Sequence, residues 1–315
     1  MELEERLAVR RATVALGSAH PEVTFSLLHW VIGTWANDAA REVFQLGATL
    51  LAGRYQRAGL HQLLPIDRVW VGIRSTRPDS FGGFHHPDQG YRHLQLASMI
   101  TRYGRLVDPA VVSPELVALD LLRSYAHDCL HFGSFREYRL QQGTVIRSRY
   151  GINRRDDAGR TYSAPDQPGS LATRNIGIVM EGATDREARS VAREVAARLG
   201  LAEPAAPLDR LAFQDTTGRL GPADFTGLPD RSDAGGAARY QWAMAGYERG
   251  VGGRYARFLT ETGGEHAEVL HGLIVAAMIA GDVRALLAWL DERHGRGAFR
   301  RIFRSPVYTG PDPGE

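Results

Sequence analysis

The hydrophobic positions of this chain recur mainly at helical spacing, in blocks separated by stretches rich in glycine and proline. Residues 2–16 read as an amphipathic helix. A longer helical tract from about Pro21 to Ala58 brings Leu27, Leu28, Val31 and Ile32, then Val43, Phe44, Leu46 and Leu50, onto repeating faces. Pro65 breaks the pattern, and VWVGI at 69–73 predicts a buried strand from its β-branched and aromatic residues. SFGGFHHPDQG at 80–90 is a turn-rich loop. Tyr91 to Ser98 fits either a strand or the start of a helix.

The clearest element begins at Ser113, which can cap a helix. Pro114 suits the first helical position, and Glu115 complements the positive end of the helix dipole. Apolar residues follow at Leu116, Leu119, Leu122 and Ala126, with a stop at Gly133. REYRLQQGTVIRSRYGINRRDDAGRTYS then reads as paired strands turning at Gln142-Gly143 and at Asp157-Ala158-Gly159. After a loop at 164–170, a second strong helix runs from about Ile176 to Leu199 and closes at Gly200. Residues 201–236 carry many Pro, Gly and Asp residues and read as a surface connection. From Ala237 to Phe303 the helical pattern returns, with a long apolar tract from His266 to Arg293. GVGG at 250–253 reads as a turn between helices. The expected organisation is a helical part at 1–64, a mixed core at 65–200, the connection at 201–236, a helical part at 237–305 and a disordered tail at 306–315.

Composition narrows the chemistry. The chain has 315 residues, of which 43% are hydrophobic, enough for a large core, and a formal net charge of only +2. That near balance gives no footprint for a nucleic-acid partner. All 38 basic residues are arginine, so a P-loop lysine, a Schiff-base lysine and a kinase-type lysine are all excluded. The single cysteine, Cys129, excludes an internal disulfide and a cysteine-built zinc ribbon. The charged start MELEERLAVRR has no apolar segment of the signal-peptide kind, and Asp282 and Arg284 interrupt the apolar tract at 273–290. The expectation is a cytoplasmic protein without a membrane partner. Nothing in the sequence speaks to its oligomeric state.

HDCLH places His127 and His131 four positions apart on the helix opened by Pro114, so both imidazoles leave one face and can share an ion. With 11 histidines in the chain, chance produces about 0.4 such pairs, so the spacing acquires weight only from context. EGATD at 181–185 supplies that context. Glu181 and Asp185 are again one helical turn apart, so one carboxylate can ligate while the other accepts the free N–H of a ligating histidine.

HDCLH followed about fifty residues later by EGATDREA resembles the gluzincin branch of zinc metallopeptidases, whose pattern is HExxH on one helix and EGxT[DE] on the next. GGFHHPDQGYRHLQLAS is similar to the edge-strand region that precedes the active-site helix in such folds. The resemblance spans roughly residues 68–200. It implies an α+β fold with a zincin-like core, in which a small sheet accompanies the active-site helix and the third-ligand helix. It further implies Zn2+ held by His127, His131 and Glu181, with Asp185 behind them and Asp128 as general base. The substrate would be a peptide or small-molecule amide, cleaved by metal-activated water. This chain departs from the family at Asp128, where Glu is usual. The shorter carboxylate stands roughly 1.5 Å farther from a metal-bound water unless the backbone shifts, and proton transfer needs close approach. A catalytically weak metal-binding scaffold is therefore a third reading.

Asp128 fits a second family, the HD-type phosphohydrolases. By that resemblance the ligands are His93, His127, Asp128 and Asp185, in an all-helical domain into which the strand-like stretch 136–163 fits poorly. Tyr247 is the candidate oxyanion donor of the first reading, alongside Tyr240 and His271. Cys129 points about 200° round the helix from His127 and reads as core. His85 and His86 fall in the turn-rich loop. His266 and His271 diverge by about 140° and make no ligand pair. No GxSxG elbow is present, so serine-hydrolase chemistry has no support.

Overall fold

The computed structural model describes residues 21–35, 37–60, 62–75, 84–85, 95–97, 114–228 and 236–315, with isolated positions between 7 and 18. In chain order these form β1 (Val23–Leu27), α1 (Asp38–Arg57), β2 (Val69–Ser75), β3 (Phe84–His85), β4 (Gln95–Ala97) and α2 (Pro114–Gly133). There follow β5 (Arg136–Gln141), β6 (Thr144–Tyr150), β7 (Asn153–Arg154), α3 (Ile176–Arg198) and α4 (Pro207–Thr217). The remainder is helical: α5 (Gly236–Tyr247), α6 (Gly253–Gly263), α7 (Ala267–Ala280), α8 (Arg284–His294) and α9 (Ala298–Phe303). The chain is α+β, predominantly helical with two small sheets among the described residues. Among those residues no helix is long and apolar enough to cross a membrane.

Two compact units divide the chain. The first takes its described residues from 1–54, 62–132 and 187–245. Its sheet has the order β1-β2-β4-β3, with β1 antiparallel to β2 and β4 parallel to it. Val69, Val71, Leu28 and Val31 are buried here. Gly47 lets α1 approach α2 closely, because a Cβ at this position would overlap the Leu122 side chain. Phe44 and Tyr125 meet with ring centroids 5.5 Å apart. Arg54, near the end of α1, reaches Glu194 of α3 at 2.7 Å, and its hydrogen bond holds the Glu194 carboxyl below the usual range. Asp215 of α4 faces Arg189 of α3 at 2.9 Å in a buried pair.

The second unit takes 55–61, 133–186 and 246–315. Its sheet is the meander β5-β6-β7. Gln142 (φ 48°) and Gly143 (φ 78°) close the first hairpin, both left-handed as a tight two-residue turn requires. A core of Ile152, Tyr162, Val179, Met180, Tyr255, Phe258, Ile274, Met278, Phe299 and Phe303 joins the start of α3 to α6, α7 and α9.

Several expectations need correction. Residues 23–27 are a strand and not helix, because the β-formers Val23, Thr24 and Phe25 gain cross-strand partners in β2. The stretch 201–236 contains α4, whose Pro207 starts it and whose left-handed Gly218 ends it, and which buries Leu211, Ala212 and Phe213. Residues 248–252 continue as a π-helical turn directly into α6, so GVGG makes no turn between helices. The tail at 306–315 packs: Tyr308 is buried with its ring 5.1 Å from that of Tyr162, and Arg304 pairs with Asp312 at 2.6 Å. An apolar ring and a carboxylate with a ready arginine outweigh the turn-forming residues around them. Tyr91–Ser98 contains the strand β4. The helix read at 2–16, most of the 80–90 loop and the Ser113 cap lie outside the described residues, although the described positions between 7 and 18 are helical.

Candidate metal centre

α2 carries the histidines on a helix that is buried over most of its surface, from Leu116 through Leu122, Ala126 and Leu130. His127 is half-buried and His131 is 7% exposed. Their Nε2 atoms lie 3.0 Å apart, with the rings edge to face at a centroid separation of 4.7 Å. At that distance one ring nitrogen can donate to the other. Each Nδ1 is left to orient its ring through another partner.

α3 carries Glu181, half-buried, and Asp185, 2% exposed, one turn further on. Tyr247 Oη donates to Glu181 Oε1 at 3.4 Å, so the candidate oxyanion donor and the candidate third ligand are neighbours. α3 is one continuous helix. Its residues through Arg186 belong to the second unit and those from Glu187 to the first. Of the three proposed ligands, His127 and His131 belong to the first unit and Glu181 to the second. Two imidazoles and a carboxylate suit zinc and leave a position open for water or substrate.

Gly182, directly after the candidate ligand, has a packing reason to be glycine. A Cβ there would overlap Tyr255 Cβ and stand 2.5 Å from its Cγ. Tyr255 is itself pinned, its hydroxyl 2.7 Å from His271 Nδ1 in the core. His271 is thereby occupied as the partner of a buried phenol.

Asp128 follows His127 on α2 and is buried. Cys129 is buried too. Burial pushes its thiol pKa up, although the Leu64 backbone and the Tyr125 hydroxyl counter this, and it behaves as core rather than ligand. Tyr125 Oη donates to the Leu64 carbonyl at 2.6 Å. His266 makes a surface pair with Glu265 at 3.2 Å. His93, His86 and the side chains of His85 and Tyr240 lie outside the described residues.

Sequence reasoning missed Tyr150. Burial raises its pKa against the pull of Arg136 and Arg147, with the Glu181 charge adding to the rise, to about 12. Arg147 stands 4.7 Å from the centre of its ring and Arg136 5.2 Å. A tyrosine near the end of a strand offers no pattern that would have marked it beforehand. Comparison with known proteins finds no matching family model, curated protein or solved structure.

Proposed function

We propose that this chain is a zinc-dependent hydrolase that cleaves an amide bond, in a peptide or a small molecule, in the cytoplasm. The observation that carries the reading is the pair of imidazoles of His127 and His131, one helical turn apart with their Nε2 atoms at 3.0 Å. The motif EGATD at 181–185 supplies the carboxylate. His127, His131 and Glu181 are the proposed ligands. When bound, zinc supplies Lewis acidity toward a carbonyl and lowers the pKa of a coordinated water. The chain's own residues supply the rest. Asp128 accepts a proton from the attacking water, and Tyr247 donates toward the oxygen on which charge develops. Asp185 accepts an N–H from a ligating histidine and so selects its tautomer.

Elemental analysis of protein purified without added metal tests the proposal. About one zinc per chain is expected, lost in His127→Ala, His131→Ala and Glu181→Ala and only weakened in Asp185→Asn. Asp128→Asn should keep the ion, because Asp128 is not a ligand, and lower amide hydrolysis by about 10²–10⁴-fold. A protein that neither retains a transition metal nor binds one on addition would refute the reading. If Asp128→Asn and Asp185→Asn empty the site while Glu181→Ala leaves it full, the HD-type phosphohydrolase ligands, His93 among them, take its place. The three-stranded sheet over 136–154 weighs against that all-helical alternative.

A further inference from the structure

The second unit holds a cleft of about 330 Å³ lined by five arginines: Arg139, Arg149, Arg154, Arg155 and Arg160. Only three carboxylates, Glu137, Asp156 and Asp157, share it. These acids are largely spoken for. Asp156 accepts from Arg160 Nε at 3.0 Å and from the Thr309 hydroxyl at 2.9 Å. Glu137 and Asp157 lie 3.4 and 3.2 Å from Arg139.

Arg149 and Arg154 are different. They are directly paired residues on β6 and β7, so two like charges face each other across the sheet. Arg149 gives one N–H to the Gly281 carbonyl, lies 3.8 Å from Glu137 and stacks its guanidinium 4.6 Å from the centre of the Phe135 ring. The Nε atoms of Arg149 and Arg154 are both buried and have no hydrogen-bond partner. Among the described residues, the guanidiniums of Arg154 and of Arg155 next to it make no ion pair. Burial, and after it the Arg154 charge, pushes the Arg149 pKa down. Such an arrangement costs stability unless an anion completes it.

We propose that this cleft binds the phosphate group of a small phosphate monoester. A guanidinium presents a planar fork of N–H donors that matches phosphate oxygens, and two guanidiniums without an acid partner match a dianion better than a single carboxylate. The volume is at the lower end for small-molecule sites, enough for a phosphate with a short organic body. The excess charge is local and concave, which suits a small ligand better than a polymer backbone. The site is independent of the metal reading and shares none of its residues.

The test is calorimetric titration of the full-length protein, at ionic strength held constant with KCl, with inorganic phosphate, glycerol 3-phosphate and succinate as probes. Both phosphate probes should bind saturably, and succinate roughly tenfold more weakly or worse. Arg154→Gln and Arg155→Gln should each weaken phosphate binding roughly tenfold or more, as expected for a charge-assisted hydrogen bond. Arg154→Gln also relieves the charge opposite Arg149, so without phosphate its Tm should equal or exceed that of the parent, a response a merely structural arginine would not give. Absence of saturation, equal response to succinate, or full phosphate binding by Arg154→Gln would overturn the proposal. An Arg154→Gln variant less stable than the parent in the absence of phosphate would overturn it too.

Discussion

Gly182→Ala separates two opposed effects of known size. Gly182 lies inside the 23-residue helix α3, and on helix propensity alone alanine would stabilise it by about 1 kcal/mol. Against that stands Tyr255. The new Cβ would overlap Tyr255 Cβ and lie 2.5 Å from Cγ, and ordinary contact begins at 3.4 Å, so the tyrosine and α3 must part by about 1 Å. Tyr255 cannot swing aside freely. It is 2% exposed, stacked with Phe258 at a centroid distance of 6.3 Å and tied to His271 through a 2.7 Å hydrogen bond. Overpacking of this kind costs about 1–3 kcal/mol, and disturbing the buried hydrogen bond about 1 kcal/mol more. The balance is a loss of about 1–3 kcal/mol.

Urea unfolding followed by circular dichroism measures it, and a second background shows the cause. In Tyr255→Gly the obstructing Cβ and ring are both gone, so adding Gly182→Ala should become neutral or stabilising by up to about 1 kcal/mol. A Gly182→Ala protein as stable as the parent would show that α3 and α6 separate cheaply and would refute the packing argument. An equal loss in both backgrounds would place the cost somewhere other than Tyr255.

Two further outcomes follow from buried or anchored charges. Asp215→Ala removes the carboxylate 2.9 Å from the buried Arg189 guanidinium and should cost about 3–5 kcal/mol by urea unfolding, whereas a loss under about 1 kcal/mol would mean that the pair contributes little. Asp156 anchors the C-terminal tail. Partial burial pushes its pKa up, but the Arg160 N–H and the Thr309 hydroxyl and N–H outweigh this and hold it down at about 2. Because the folded-state value is depressed, the stabilisation is complete above the ordinary value of 3.8 and is lost as pH falls through about 2. The Thr309 amide, which donates to Asp156 Oδ2 at 3.2 Å, should shift in NMR spectra with a midpoint near 2, and a midpoint near 4 would contradict the anchoring.

The helices α2 and α3 were legible because their signals are local: apolar residues at regular spacing closed by a glycine, with a proline at the start of α2. The hairpin β5–β6 was legible from Gln142-Gly143 for the same reason. α4 carries an equally local pair of signals in Pro207 and Gly218, but the Pro/Gly/Asp density around them masked it. β1 was not legible, because its partner β2 lies about forty residues away and helical periodicity resumes directly after it. The tail misled for a related reason. Its proline- and glycine-rich composition describes the isolated segment, whereas Tyr308 and Asp312 are held by Tyr162 and Arg304.

The candidate site divides along the same line. Spacing on one helix could bring His127 and His131 together, and the 3.0 Å between their Nε2 atoms is what one turn of helix permits. Spacing could not place Tyr247 beside Glu181, since that contact joins residues 66 positions apart. The arginine cleft is the extreme case. The absence of lysine served at first only to exclude reactions, yet it means that every cation here is a guanidinium that cannot shed its proton to escape a crowded site. A buried lysine opposite Arg149 could relax by becoming neutral. Arg154 must stay charged, so the cost of facing Arg149 persists until an anion arrives.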